Sequence, residues 1–182
     1  MYYAGIGSRE TPPTMGSIMT QLAAKMEKDG WILRSGGARG ADTFFEDGVT
    51  ENQHKQIFIH KENAHGRRHS VRCGVFNAQR YADYDEAVRI ASEVHPRWAR
   101  LNDSAQQLHA RNVYQVLGPG LAPSTYSKLL VCWGIPDIHG VPEGGTRTAW
   151  KIAEMYGIPR FNLVNQSDRS RIKRYAEVGF GR

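Results

Sequence analysis

The chain has 182 residues, 40% of them hydrophobic and 23% charged, with a formal net charge of +6. This is the composition of an ordinary globular protein long enough to bury a core, so one domain spanning residues 1–182 is expected. No apolar run reaches the length of a membrane span, no signal-peptide pattern opens the chain, and two cysteines cannot make a disulfide framework. A cytosolic protein follows, with a positive charge that favours anionic partners.

Tyr2 to Ile6 reads as a first strand. After Thr11-Pro12-Pro13, the segment Met15 to Lys28 places Ile18, Met19, Leu22, Ala23 and Met26 at helical spacing, and Asp29-Gly30 ends it. Trp31 to Leu33 is a second strand, Ala41 to Val49 a second helix, and Gln56 to Ile59 a third strand. Such βαβ alternation implies a parallel sheet with helices on both faces, a Rossmann-like α/β fold. From about residue 60 to 125 the alternation breaks into a basic, partly helical insertion. Lys61, Arg67, Arg68, Arg72 and Arg80 crowd its first part. Helices are expected over Tyr84 to Val94 and over Ser104 to Leu117, the latter N-capped by Asp103. The alternation then resumes with Leu129 to Trp133 as strand, Thr146 to Tyr156 as helix and Arg160 to Val164 as strand. A C-terminal helix is expected over about 167–178.

Three glycine-bearing turns fall between these elements: Gly5-Ile6-Gly7-Ser8-Arg9, Ser35-Gly36-Gly37-Ala38-Arg39-Gly40-Ala41-Asp42 and Gly144-Gly145-Thr146-Arg147-Thr148. Glycine lets backbone amides approach an anion, and a helix N-terminus adds partial positive charge. Each turn follows a strand or leads into a helix, so all can meet at the carboxyl edge of the sheet, where open α/β folds bind ligands. No turn carries the Lys-Ser/Thr of a Walker loop, and Gly5-Ile6-Gly7 lacks the third glycine of a dinucleotide fingerprint.

The run Gly5 to Pro12, then Leu33 to Asp42, resembles the SLOG superfamily, which includes the DprA (Smf) DNA-processing proteins and the LOG-type phosphoribohydrolases. Pro142 to Thr148 with Ile158-Pro159 is similar to the superfamily's late glycine turn, and Ala110-Arg111-Asn112 to the Arg-Asn helix start of DprA proteins. The resemblance implies a phosphate pocket made by Gly7, Ser8, Arg9, Ser35, Gly36, Gly37, Arg39, Gly40, Gly144, Gly145, Thr146 and Arg147. Asp42 either holds a ribose or caps its helix. The DprA-like branch implies single-stranded DNA as partner, in DNA processing or recombination, with Arg67, Arg68, Arg72, Arg111 and Asn112 on the strand and a homodimer as the assembly. Trp98 and Tyr114 could offer stacking surfaces, or simply anchor the inserted helices.

Two other readings stay open, a LOG-type nucleotide N-glycosidase and a sensor or sequestering protein for a nucleotide signal. The hydrolase motif puts a glutamate where this chain has Ala149, and Glu10, Glu46 or Glu143 would have to substitute. No cofactor and no metal are implied: His65 and His69 stand at i, i+4, but Gly66 and the neighbouring arginines oppose a helix there.

Overall fold

The computed structural model describes residues 1–178, and of residues 175–178 the backbone alone. Its strands are β1 (Tyr2–Gly7), β2 (Ile32–Ser35), β3 (Lys55–Ile59), β4 (Val75–Asn77), β5 (Leu130–Trp133) and β6 (Arg160–Asn162). They form one six-stranded sheet in the order β4-β3-β2-β1-β5-β6, with every pairing parallel. The expected Rossmann-like class is therefore correct. The chain moves outward from β1 through β4, then returns to the other side of β1 for β5 and β6. The topological switch point thus lies between β1 and β5.

The helices are α1 (Pro13–Lys28), α2 (Ala41–Asp47), α3 (Tyr84–Val94), α4 (Asp103–Leu117), α5 (Gly145–Met155) and α6 (Gln166–Val178). Strands covered on both faces must be apolar on both, and β1 shows how that is met. Tyr3 joins Leu33, Ile57 and Val131 in a core under α1, α2 and α6, while Ala4 and Ile6 join Phe58, Leu130 and Cys132 in a core under α3, α4 and α5. Burial raises the Cys132 thiol well above its ordinary range, whereas Cys73 is exposed.

Segment 60–125 supplies β4, α3 and α4, and the buried length of α4 from His109 to Leu117 belongs to the second core. Its cap is not Asp103. Asn102 precedes the helix in an extended conformation and its Oδ1 accepts the Ala105 amide at 2.9 Å, which places Asp103 inside the first turn. Arg34 is the largest fully buried side chain. It donates to Gln56 Oε1 and to the Thr125 carbonyl, and lies 3.8 Å from the Tyr2 ring centre, joining β2 to the segment that leads into β5. No described helix is long and apolar enough to cross a membrane.

Candidate functional site

A crevice of about 400 Å³ opens at the switch point, a volume within the range of small-ligand pockets. Its lining comes from the end of β1 (Ile6 to Arg9), the turn after β2 (Ala38, Asp42), the loop before β4 (His65), one face of α4, and the start of α5 (Glu143 to Thr146). The α4 residues are Ala105, Leu108, His109, Arg111, Asn112 and Gln115, spaced as a single helical stripe.

The three glycine turns play different parts in it. At the first, Gly7 has φ +153 and a Cβ there would stand 2.6 Å from the Trp133 carbonyl oxygen, so only glycine lets β1 pass β5 this closely. The Ser8 amide is already bonded to that carbonyl at 2.8 Å, and Ser8 Oγ accepts the Glu10 amide at 3.1 Å. Arg9 is exposed at the rim. A second loop, 63–66, approaches with Asn63 and His65 both in left-handed backbone, and Lys61 Nζ ties its start to Ser104 Oγ at 3.2 Å.

The second turn is closed on itself. Asp42 Oδ2 accepts the amides of Gly36 and Ala38 at 3.2 and 3.3 Å, and Ser35 Oγ donates to the Gly5 carbonyl at 2.7 Å. Asp42 therefore does not cap its helix; Gly40 precedes α2 with no side-chain cap. Gly37 faces Arg67, Gly40 packs against the Ser8 carbonyl, and Arg39 is exposed and does not line the crevice. The reason is local: a carboxylate six residues after Gly36 supplies the anion that the amides would otherwise seek.

The third turn is open. Gly144, Gly145 and Thr146 line the crevice, and among the described residues no side chain caps α5, so its first-turn amides keep their positive end toward the cavity. Asn112 Nδ2 holds the Gly145 carbonyl at 3.1 Å. Arg147 turns away and pairs with Asp137 Oδ2.

Arg111 is the buried charge of the site. It is 5% exposed, its Nη1 stands 4.0 Å from Asp42 Oδ2, and its buried Nε has no hydrogen-bond partner among the described residues. Gln115, with its amide oxygen turned to these neighbours, accepts from Arg111 Nη1 at 2.9 Å and from the Gly36 amide at 2.8 Å, and donates to Asn112 Oδ1 at 2.9 Å. Arg111 and Asn112 sit mid-helix in α4, not at a helix start as the resemblance implied. Burial pushes the Asp42 carboxyl up to about 6, against the pull of Arg111 and of the Ala38, Gly36 and Gly7 amides. Burial also lowers the Arg111 guanidinium, which Asp42 opposes and Arg9 assists. His60, whose buried Nδ1 has no partner among the described residues, is held down at about 4 by burial and then by Arg111, Lys61, His65 and Arg9. His65 is lowered by the same kinds of cause.

The other basic residues stand elsewhere. Arg67 Nη1 bonds Glu46 Oε1 at 2.8 Å, Arg68 Nε bonds Asn63 Oδ1 at 2.9 Å, and Arg72 is exposed; none lines the crevice. Tyr114 is fully buried with its hydroxyl on Asp83 Oδ1 at 2.7 Å, and Trp98 packs edge-on to His95, so both anchor helices. Sequence reasoning missed His65, His109 and Gln115. The stripe that His109 and Gln115 share on α4 was readable from spacing, but the surface it faces was not, and His65 lies in a loop with no periodicity to read.

Fold and crevice together define a Rossmann-like α/β protein whose switch-point cleft holds a buried arginine and an uncapped helix start. Among solved structures the chain is similar to DNA processing protein A from Helicobacter pylori, with a TM-score of 0.59 and 15% identity over 97% of this chain and 79% of that one. That structure concerns a single-stranded DNA binding mode, and at this identity the likeness establishes a shared fold. No family model and no curated protein matches the chain.

Proposed function

We propose that the crevice binds nucleotide phosphate and that the protein thereby holds single-stranded DNA, as a DprA-like homodimer acting in cytosolic DNA processing or recombination. The observation that carries the reading is Arg111: a guanidinium buried in the crevice wall, with one carboxylate at 4.0 Å and, among the described residues, no partner for its Nε and no side chain capping the start of α5 beside it. A buried cation this poorly compensated favours an arriving anion, and a phosphate oxygen can take the Arg111, Arg9 and α5 donors together. The structural neighbour's single-stranded DNA binding supports the choice of ligand. Among the crevice-lining turn residues, the Ser8 hydroxyl, Gly145 and Thr146 supply the remaining donors in this reading, while the Gly7 amide is held by Asp42.

Fluorescence anisotropy with labelled single-stranded oligonucleotides across a salt series tests it. Arg9→Ala, at an exposed rim position, should weaken binding several-fold and lower the slope of log affinity against log salt by about 0.7, the value of one lost phosphate contact on a single strand. Arg39→Ala, outside the crevice, should change neither. Unaltered binding by Arg9→Ala would remove the crevice from the account.

One observation favours the N-glycosidase as second reading: Glu143 stands on the crevice rim and the Asp42 carboxyl stands at about 6 inside it. The position of the missing acid, Ala149, is fully buried. Release of free base from nucleoside monophosphates, followed by chromatography, decides that reading.

A further inference from the structure

The phosphate reading gives no part to His109, a polar residue of the crevice wall. His109 on α4 lines the cavity and is 8% exposed, and its Nδ1 stands 2.7 Å from Thr148 Oγ1 of α5. Thr148 is 1% exposed, and among the described hydrogen bonds its hydroxyl has this partner alone. A threonine hydroxyl can donate or accept, but a buried hydroxyl proton left without an acceptor is costly. Donation from Thr148 to Nδ1 satisfies both groups. The reverse assignment strands the threonine proton. The imidazole proton therefore belongs on Nε2, which has no partner among the described hydrogen bonds and is free to serve a ligand in the cavity that His109 lines. His95, whose ring centre lies 4.4 Å from that of His109, accepts the Arg97 amide on its Nδ1, and no described hydrogen bond joins it to Thr148.

We propose that His109 reads the nucleobase of the bound nucleotide: its Nε2–H donates to an acceptor on the base edge, a keto oxygen or an unprotonated ring nitrogen, while Ala105 and Leu108 on the same face of α4 pack against the base. The inference rests on the phosphate reading above and adds base recognition to it. Thr148 is then the positioning residue, fixing which ring nitrogen carries the proton. The ring is uncharged at neutral pH: burial, then His95 and Arg111, hold it down at about 4, and Thr148 adds no charge. The contact thus supplies a directed donor and no attraction to phosphate. It should discriminate between ligands that carry a base and ligands that carry only a backbone.

Two measurements on the full chain test this. In ¹⁵N-resolved NMR between pH 5 and 8, the His109 ring should show the Nε2–H form throughout; an Nδ1–H form, or titration with a midpoint near the ordinary value of about 6.5, overturns the proposal. In anisotropy, a mixed-sequence single-stranded 12-mer should bind about tenfold tighter than an abasic 12-mer with the same phosphates. His109→Leu should bring that ratio close to one while leaving abasic affinity as it was. A ratio unchanged by His109→Leu, or an equal loss for both probes, overturns base reading and leaves the phosphate site standing. Failure of the unaltered protein to bind either probe overturns both. Should His109→Leu not fold, Thr148→Val, which frees the tautomer while keeping side-chain volume, should lower the ratio by several-fold, and an unchanged ratio refutes the role.

Discussion

A single methyl group at position 36 tests whether Arg111 is held by the second glycine turn. Gly36 is not among the residues with positive φ, so alanine there costs no backbone strain. Its Cβ, however, would overlap the Arg111 guanidinium and stand 2.8 Å from Asp42 Oδ2. Arg111 must leave, and Asp42 loses the cation now 4.0 Å away. Removing one partner of a buried pair costs about 3–5 kcal/mol when the other stays charged. Asp42 has an escape, because its carboxyl already sits at about 6. At pH 8 that is about two pH units below the solvent, so protonating it costs about 3 kcal/mol, which caps the penalty. At pH 5 the carboxyl is already mostly neutral and the penalty nearly vanishes. Gly36→Ala should therefore cost up to about 3 kcal/mol at pH 8 and under about 1 kcal/mol at pH 5, by urea denaturation, with loss of oligonucleotide binding at both. In an Arg111→Ala background the overlap with the guanidinium is gone and only Asp42 Oδ2, 2.8 Å away, has to shift, so the same change should cost less than it does in the unaltered protein at pH 8. Equal costs in the two backgrounds, or at the two pH values, would refute the reasoning.

Asp42→Asn should flatten the dependence of stability on pH. Its carboxyl is raised in the folded chain from 3.8 to about 6, so its contribution is fullest below about pH 4 and declines, by up to about 3 kcal/mol, as pH climbs through 6. Denaturation curves for the two proteins that stay parallel from pH 4 to 7 would contradict this. Arg34→Met should cost about 3 kcal/mol by leaving Gln56, the Thr125 carbonyl and Ser127 without their donor, yet leave oligonucleotide affinity unchanged, since Arg34 does not line the crevice. A comparable loss in affinity would show that the two regions are coupled.

Most of the fold was legible because its signals are local. Strands buried on both faces are short apolar runs, and α1, α3 and α5 carry their buried residues at helical spacing, so the expected bounds lie within a few residues of those observed. β4 was not legible: three residues, Val75–Asn77, in a basic loop give no periodicity, and they become a strand only by pairing with β3. The crevice was legible as an edge and not as a set of contacts. Glycine in a turn announces a close approach without naming what approaches. At Gly7 it is the backbone of β5, and at Gly36 it is Arg111, fifteen helical residues' worth of α4 brought in from a distant segment. Asp42 at the end of the second turn was legible as a ribose holder or a helix cap, whereas its carboxylate occupies the turn's own amides.

That last point decides where a ligand anion can sit. Amides already bonded to Asp42 would have to give up a short-range, charge-assisted contact before they could serve a phosphate. The α5 amides face no such competitor. The second turn therefore works at one remove. Its carboxylate and Gln115 fix the Arg111 guanidinium against Gly36, which leaves the charge of Arg111 directed at the cavity between the first and third turns. Phosphate affinity should accordingly depend more on the Arg111 and Arg9 side chains and the start of α5 than on any donor of the turn after β2.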